Sequence, residues 1–153
     1  KKTQIFQSNI FLIYIKNRRY ASQILKKQSK LIDKKKVVID VMKKIQLLGI
    51  KSCKVLEKGK IDDYGKILDE HWNLKKKVGN FMSNQKIEKL YLDLKKNGST
   101  GGKIIGAGGG GFFMSYVPKK NHKKFLNYLN KKKLKVLDWR FHYEGSKVIF
   151  NDE

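Results

Sequence analysis

The residues with the clearest chemical potential form a glycine-rich turn in the second half of the chain. In order they are Gly106, Ala107, Gly108, Gly109, Gly110 and Gly111. On either side lie short apolar runs, Lys103 to Ile105 and Phe112 to Val117, whose β-branched and aromatic residues are typical of strands. Glycine weakens regular elements, so this run indicates positive φ or a close approach to a ligand or to other backbone. Consecutive N–H groups without side chains can cup a phosphate, although a hairpin without any ligand explains the pattern equally well.

Two nucleotide-binding fingerprints are excluded for this turn. Gly106, Gly108 and Gly111 match G-x-G-x-x-G, but a dinucleotide site needs a helix directly after the loop, and the sequence predicts a strand there. The chain also has no G-x-x-x-x-G-K-[ST] string. The pattern is therefore interpreted as strand, glycine loop, strand.

Other reactive side chains give weaker signals. His71 lies within a predicted helix and is interpreted as a core or half-buried histidine rather than as a catalyst. The carboxylates of that helix have no partners that would form an acid/base pair, and no set of His, Cys, Asp and Glu has metal-ligand spacing. We therefore assign no catalytic and no metal-binding residue to this chain. Cys53, the single cysteine, is expected to be buried or half-buried and fits a reducing cytoplasm.

The string KIIGAGGGGFFMSYVP resembles the third conserved motif of the GHMP sugar and metabolite kinases. Three further segments agree with this family in order and spacing: RYASQIL from Arg19, WNLK from Trp72 and FHYEGSKVI from Phe141. The branch that the sequence resembles is that of the D-glycero-D-manno-heptose 7-phosphate kinases and related sugar 1-kinases. The resemblance covers nearly the whole chain.

This resemblance implies the C-terminal part of an ATP-dependent sugar kinase. Such an enzyme would transfer the γ-phosphoryl group of Mg-ATP to the anomeric hydroxyl of D-glycero-D-manno-heptose 7-phosphate or a similar sugar. Residues 106–111 would act through their backbone, and Arg19 and Asn84 are candidate substrate-binding residues. The ATP loop and the Mg²⁺-binding carboxylate would belong to an N-terminal domain. The chain begins at Lys1 without Met, so it is expected to be a piece of a longer protein. Because its sequence has no Gly- and Ser-rich string like the family's ATP loop, the piece is expected to be inactive alone.

A net charge of +23 raises the question of nucleic-acid binding. Thirty-three of the 36 basic residues are lysine, whereas proteins that read bases rely on the bidentate arginine fork. The composition therefore favours solvated lysines with non-specific polyanion binding at low salt. Two alternatives stay open: a lysine-rich polyanion- or nucleic-acid-binding module, and a non-catalytic kinase remnant. No apolar run approaches the roughly 18 residues of a membrane span, and a cytoplasmic protein is predicted.

Periodicity predicts the elements that must position the glycine turn. Ser8 to Ile15 is a continuous apolar run typical of a buried strand. Helical spacing predicts helices over Arg18–Leu31, Val37–Leu48 (ended by Gly49), Ile61–Lys77, Ser83–Lys96 and Asn121–Asn130. Ser83 or Asn84 is expected to cap the fourth helix, and Gly98 to end it. Further strands are predicted at Leu134–Leu137, Trp139–Tyr143 and Lys147–Phe150.

Length and element order together predict the fold class. A chain of 153 residues suffices for one domain with a real core, so residues 1–153 are predicted to form a single domain. Strands at both ends and in the middle, separated by helices, indicate an α+β fold with one mostly antiparallel sheet backed by helices. The resemblance implies the same arrangement, a ferredoxin-like GHMP kinase C-terminal domain that works beside an N-terminal kinase domain.

Overall fold

A computed structural model describes residues 2–15, 21–32, 36–79, 82–106 and 111–148. The described strands are β1 (Ile10–Ile15), β2 (Gly101–Ile104), β3 (Gly111–Tyr116) and β4 (Val136–Leu137). The described helices are α1 (Lys2–Ser8), α2 (Ala21–Ile32), α3 (Lys36–Glu57), α4 (Asp63–Val78), α5 (Gln85–Lys96) and α6 (His122–Lys131). A short 3₁₀ turn, Lys119–Asn121, precedes α6.

The described strands form one antiparallel sheet in the order β2-β3-β1-β4. The apolar run of β1 is continuous because both of its faces are covered. Ile13 and Ile15 face a core shared with α5, α6 and Trp72, whereas Ile10 packs on the opposite face with Leu68 and Tyr116. The predicted α+β class, with an antiparallel sheet backed by helices, is confirmed.

Helix α4 covers the free edge of β2, and glycines bring the two backbones together. A Cβ atom added at Gly101 would lie 1.9 Å from the carbonyl oxygen of Gly65. A Cβ at Gly65 would in turn lie 1.9 Å from the Thr100 hydroxyl oxygen. Covering the edge strand removes a surface that would otherwise pair with another chain. It also places the side chains of α4 beside the start of the glycine turn.

Several predicted boundaries are wrong. Gly49 does not end its helix: α3 continues to Glu57, because Gly49 is solvent-exposed and one exposed glycine costs only about 1 kcal/mol within a helix. Cys53, on the same helix, is exposed rather than buried. Before β1 the chain forms α1, where no helix is predicted.

The C-terminal strand predictions also fail. Residues 139–143 form no strand, and residues 147–148 form none either, while 149–150 lie outside the described part of the chain. Trp139 instead donates from its indole N–H to the Ile10 carbonyl at 3.2 Å, and its own carbonyl accepts from the Gln7 amide at 3.1 Å. Phe141 stacks on Phe6 of α1 with ring centroids 6.2 Å apart. Aromatic packing on α1 therefore replaces a strand ladder in this segment.

Candidate functional site

The glycine turn connects β2 to β3, as the sequence predicts. Gly106 and Gly111 have φ of 84° and 89°, in the region that favours glycine. A Cβ atom at either position would meet nothing within 4 Å, so conformation and not packing accounts for glycine there. The amide of Ile105 donates to the Phe112 carbonyl at 3.0 Å and closes the base of the hairpin. Ala107, Gly108, Gly109 and Gly110 lie outside the described residues.

A cavity of about 260 Å³ lies at the base of this turn, between α4 and β2. The residues that line it are His71, Trp72, Lys75, Met82, Lys103, Ile104, Ile105 and Gly106. We call it the hairpin cavity. On the α4 side lie the rings of His71 and Trp72 and the ammonium group of Lys75. On the β2 side lie Lys103 and Gly106, the first glycine of the turn. None of the lining residues is acidic.

Burial and like charge shape the electrostatics of the hairpin cavity. The pKa of His71 is lowered to about 4, chiefly by burial and further by the positive charges of Lys103 and Lys75. Burial also lowers the pKa of Lys103, and burial with the charge of Lys103 lowers that of Lys75. Lys103 is therefore half-buried at the cavity. His71 is half-buried, as predicted, and is neutral at pH 7.

Two polar atoms among the lining residues have no hydrogen-bond partner in the described structure. They are Nδ1 of His71 and Nε1 of Trp72, both shielded from solvent. The hairpin cavity thus combines two lysine side chains, two aromatic rings and the first glycine of the turn.

Aromatic packing fixes the α4 wall of this cavity. The Trp72 ring is 1% exposed and contacts Phe113 and Tyr91 edge-on, with ring centroids 5.9 and 6.4 Å away. The Tyr91 hydroxyl donates to the Asp69 carboxylate, which also accepts from Lys95 at 2.9 Å. The cavity-lining residues of α4 are therefore held on a helix whose position is fixed by core contacts.

Asn84 caps α5 in the way the sequence predicts. Its side-chain oxygen accepts from the amide of Ile87 at 3.0 Å, with Asn84 in extended backbone conformation. Ser83 does not cap the helix: its hydroxyl donates to Glu88 at 2.5 Å, and Glu88 also pairs with Lys76 at 2.7 Å. The candidate substrate-binding residue Asn84 is thus positioned by a local hydrogen bond of its own.

Asn84 lines a second, larger cleft of about 620 Å³. The other residues that line it are Tyr14, Ile15, Lys86, Ile87, Leu90, Lys132, Lys133, Leu134 and Lys135. We call it the lysine cleft. Tyr14 and Ile15 pair in the sheet with Phe112 and Gly111 at the end of the glycine turn. The lysine cleft therefore reaches the hairpin from β1, and the hairpin cavity reaches it from β2. Asn84 lines the lysine cleft but not the hairpin cavity.

The remaining predicted site residue, Arg19, lies outside the described residues. His71, Lys75 and Lys103 were not predicted as a group. His71 and Lys75 lie one turn apart on α4, but Lys103 is far from both in sequence, and only the packing of α4 on the β2 edge joins the three. Within the described part of the chain, no three His, Cys, Asp or Glu side chains come together to hold a metal ion. No helix there is long and apolar enough to span a bilayer.

Comparisons with known proteins show the family to which the chain is similar in sequence. A family model described as "GHMP kinases C terminal" matches residues 53–135. D-glycero-alpha-D-manno-heptose 7-phosphate kinase of Campylobacter jejuni is 31% identical over 121 residues, which are 79% of this chain and 35% of that protein.

Solved structures show the same fold. The crystal structure of L. major mevalonate kinase in complex with R-mevalonate has a TM-score of 0.72 at 14% identity, over 80% of this chain and 38% of that one. A putative sugar kinase from Campylobacter jejuni has a TM-score of 0.61 at 24% identity, and the match covers 94% of this chain and 39% of that kinase's chain. The chain therefore spans well under half the length of these relatives.

Proposed function

The chain belongs to the GHMP kinase family as its C-terminal domain, and we propose that it is part of an ATP-dependent kinase of a phosphorylated sugar. The proposed reaction transfers the γ-phosphoryl group of ATP to the anomeric hydroxyl of D-glycero-D-manno-heptose 7-phosphate or a similar sugar. The observation that carries this proposal is the glycine turn with a cationic cavity on one side and a sugar-sized cleft on the other. The 31% identity to a heptose 7-phosphate kinase supports the choice of sugar.

Phosphoryl transfer depends mostly on positioning and on neutralising charge, and this chain would contribute to both. We assign the backbone of residues 106–111 to contact with phosphate or with the neighbouring phosphate-holding loop. Asn84 and Arg19 are assigned to the sugar. At about 620 Å³ the lysine cleft lies within the range of roughly 300 to 1,000 Å³ that small-ligand sites occupy.

The remaining parts of the machinery are assigned to an N-terminal domain. We assign the metal-binding carboxylate and the main ATP loop to that domain, as the family resemblance implies. We propose that residues 1–153 fold as a single domain packed against that partner, in a cytoplasmic enzyme. By this assignment the 153 residues alone do not phosphorylate sugars.

The experiment compares two purified proteins: the one encoded by the complete open reading frame that contains this chain, and residues 1–153 alone. Each is incubated with Mg-ATP and one acceptor: D-glycero-D-manno-heptose 7-phosphate, the unphosphorylated heptose, fucose or mevalonate. ADP release gives the rate, and ³¹P NMR identifies the phosphorylated position. We expect the complete protein to prefer the heptose 7-phosphate and to form an anomeric phosphate, and the 153 residues to be inactive.

Three results would contradict the proposal. Preference for mevalonate or fucose would move the protein to another branch of the family. Sugar phosphorylation by the 153 residues alone would show that the chemistry does not need the proposed N-terminal domain. A complete protein that phosphorylates none of the four acceptors would reject the sugar kinase assignment and favour a non-catalytic kinase remnant.

A further inference from the structure

The lysine cleft carries four ammonium groups, and no carboxylate lines it. Lys86 lies in the first turn of α5, Lys132 and Lys133 follow α6, and Lys135 precedes β4. All four are exposed, and none of the ion pairs in the described part of the chain involves them. Because like charges around one cleft repel each other, an anion bound among them is favoured electrostatically.

The remaining residues give the lysine cleft an apolar wall. Ile15 and Ile87 are 9% and 3% exposed, and Leu90 and Leu134 pack against the same core. Small-molecule sites combine apolar walls of this kind with a few convergent polar groups, and the volume of the cleft falls within their range. The lysine cleft therefore suits a compact organic molecule that carries an anionic group.

Lys133 occupies a backbone position at which helices usually end in glycine. Its φ is 51°, and it is the sole residue other than glycine with positive φ among the residues that the structure describes. The Lys133 amide donates to the Asn130 carbonyl and the Leu134 amide to the Leu129 carbonyl, both at 3.0 Å, which is the bond pair of a Schellman helix end. Glycine adopts this conformation without the strain that a Cβ atom adds. The helix end does not need a lysine, so the ammonium group at the cleft is the feature to explain.

We propose that the lysine cleft holds the phosphate that the acceptor sugar already carries, with Lys133 as its principal contact and Lys86, Lys132 and Lys135 around it. The proposal rests on the proposed function, because it takes the ligand to be the sugar phosphate of the kinase. Lysine binds phosphate as a point charge with three donors. The cleft thereby selects a phosphorylated sugar over the same sugar without phosphate.

The position of the lysine cleft beside the glycine turn matches the two ends of such a substrate. Tyr14 pairs in the sheet with Phe112 at the end of the turn, and on its other side the Tyr14 amide donates to the Lys135 carbonyl at 2.8 Å. Phe112 and Lys135 are thus two interstrand spacings apart, about 10 Å. One phosphoryl group cannot occupy both places. A heptose that carries phosphate on carbon 7 and reacts on carbon 1 presents one end to each.

Kinetics of the complete kinase test the contact with Lys133. Lys133→Gly removes the ammonium group and suits the backbone, whereas Lys133→Arg keeps the charge. Lys120→Met, at an exposed lysine of the 3₁₀ turn, is the control for loss of one charge. Since a hydrogen bond to a charged group is among the strong ones, we expect Lys133→Gly to raise the KM of D-glycero-D-manno-heptose 7-phosphate about 10-fold or more. Lys133→Arg should restore much of that loss, and Lys120→Met should cause none.

Two further measurements separate this contact from a structural role of Lys133. Lys133→Gly should leave the Tm of the protein unchanged or higher, because glycine relieves the positive φ. It should leave the KM of ATP and the kcat/KM of the unphosphorylated heptose within a factor of two. If Lys133→Gly and Lys86→Met both keep the KM of the sugar phosphate within a factor of two, the proposal is overturned. A rise in the KM of ATP alone would assign the cleft to the nucleotide and would overturn it as well.

A binding measurement keeps the test independent of catalysis. The complete protein is titrated calorimetrically, without ATP, with D-glycero-D-manno-heptose 7-phosphate and with the unphosphorylated heptose. We expect Lys133→Gly to weaken binding of the phosphorylated sugar about 10-fold and to leave binding of the other unchanged. Loss of poly-U affinity in this variant, with sugar phosphate binding intact, would assign the cleft to a polyanion and overturn the proposal.

The two proposals fail in different ways. Binding of the sugar phosphate that depends on Lys133, in a protein that phosphorylates no sugar, would keep the subsite and reject the sugar kinase assignment. An active sugar kinase whose Lys133→Gly and Lys86→Met variants keep the KM of the sugar phosphate would reject the subsite alone.

Discussion

Asn84 combines two tasks, because its side chain caps α5 and also lines the lysine cleft. Replacing it with alanine removes the hydrogen bond to the Ile87 amide, and we expect a loss of about 1 kcal/mol in the free energy of unfolding. Asn84→Asp keeps an acceptor oxygen at the same place and should cost little. Urea unfolding of the three proteins measures the difference.

The same pair of variants separates the cap from a substrate contact. Asn84→Asp retains the cap but introduces a negative charge into the lysine cleft, so a sugar phosphate bound there should have a higher KM in this variant. If Asn84→Ala and Asn84→Asp are equally stable, the cap does not stabilise α5. If the KM of Asn84→Asp is unchanged, Asn84 does not contact the substrate.

His71 predicts a pH dependence of stability. Its pKa is lowered to about 4 in the folded protein, below the ordinary value of 6.5. Between these values the unfolded chain binds a proton that the folded protein excludes, so this contribution to stability is intact above pH 6.5 and is lost progressively as the pH falls to 4. We expect His71→Gln to lose less stability than the unmodified protein over this window.

Urea unfolding in steps between pH 7.5 and pH 4, within the window set by His71, provides the measurement. His122→Gln serves as the control at a second histidine. Parallel loss of stability in the unmodified protein and in His71→Gln would show that His71 titrates normally in the folded state.

At the scale of elements, the contact of α4 with β2 is the one on which the candidate site depends. Gly101→Ala would place a Cβ 1.9 Å from the Gly65 carbonyl oxygen and 2.7 Å from the Asp69 amide nitrogen, both of them backbone atoms. Backbone atoms cannot avoid the clash by a change of rotamer, as a side chain can. We therefore expect α4 to shift and the free energy of unfolding to fall by about 3 kcal/mol. Trp72 and His71 move with α4, so the hairpin cavity should change shape as well.

Gly49→Ala is the matched control for this substitution. A Cβ at Gly49 meets nothing within 4 Å, and the residue lies inside α3, where alanine is favoured by about 0.5 to 1 kcal/mol. The two Gly→Ala changes should therefore have opposite effects on the free energy of unfolding. Equal effects would mean that α4 and β2 do not approach each other as described.

Elements with a strong local signal were predictable from sequence, and the site assembled between elements was not. The continuous apolar run predicts β1, and Asn84 predicts the start of α5, because each of these signals lies within a few residues of sequence. The helix α1 has seven residues and no helical periodicity, and its Phe6 is held by Tyr64, a residue far away in sequence. The hairpin cavity likewise depends on the close approach of α4 to β2, which requires both Gly65 and Gly101. The sequence around either glycine does not indicate which residue it will contact.

At the scale of the whole molecule, the charge of +23 tests the polyanion-binding alternative. Exposed lysines occur on many elements, among them Lys86 on α5, Lys119 and Lys120 on the 3₁₀ turn and Lys135 beside β4. Binding through such dispersed charges is non-specific and falls steeply with salt, because it is driven by release of counterions. We expect fluorescence anisotropy to show affinity for poly-U and heparin that falls about a thousandfold between 50 and 200 mM KCl.

A pair of triple variants decides whether any lysines form a dedicated polyanion site. Lys86, Lys132 and Lys135 line the lysine cleft, whereas Lys119, Lys120 and Lys123 lie exposed around the start of α6. Changing either set to glutamate alters the net charge equally, so dispersed binding predicts the same loss of poly-U affinity from both. A much larger loss from the cleft set, with binding that persists at physiological salt, would favour a polyanion-binding module. Equal losses, together with a raised KM for the sugar phosphate in the cleft set alone, would assign the lysine cleft to the substrate.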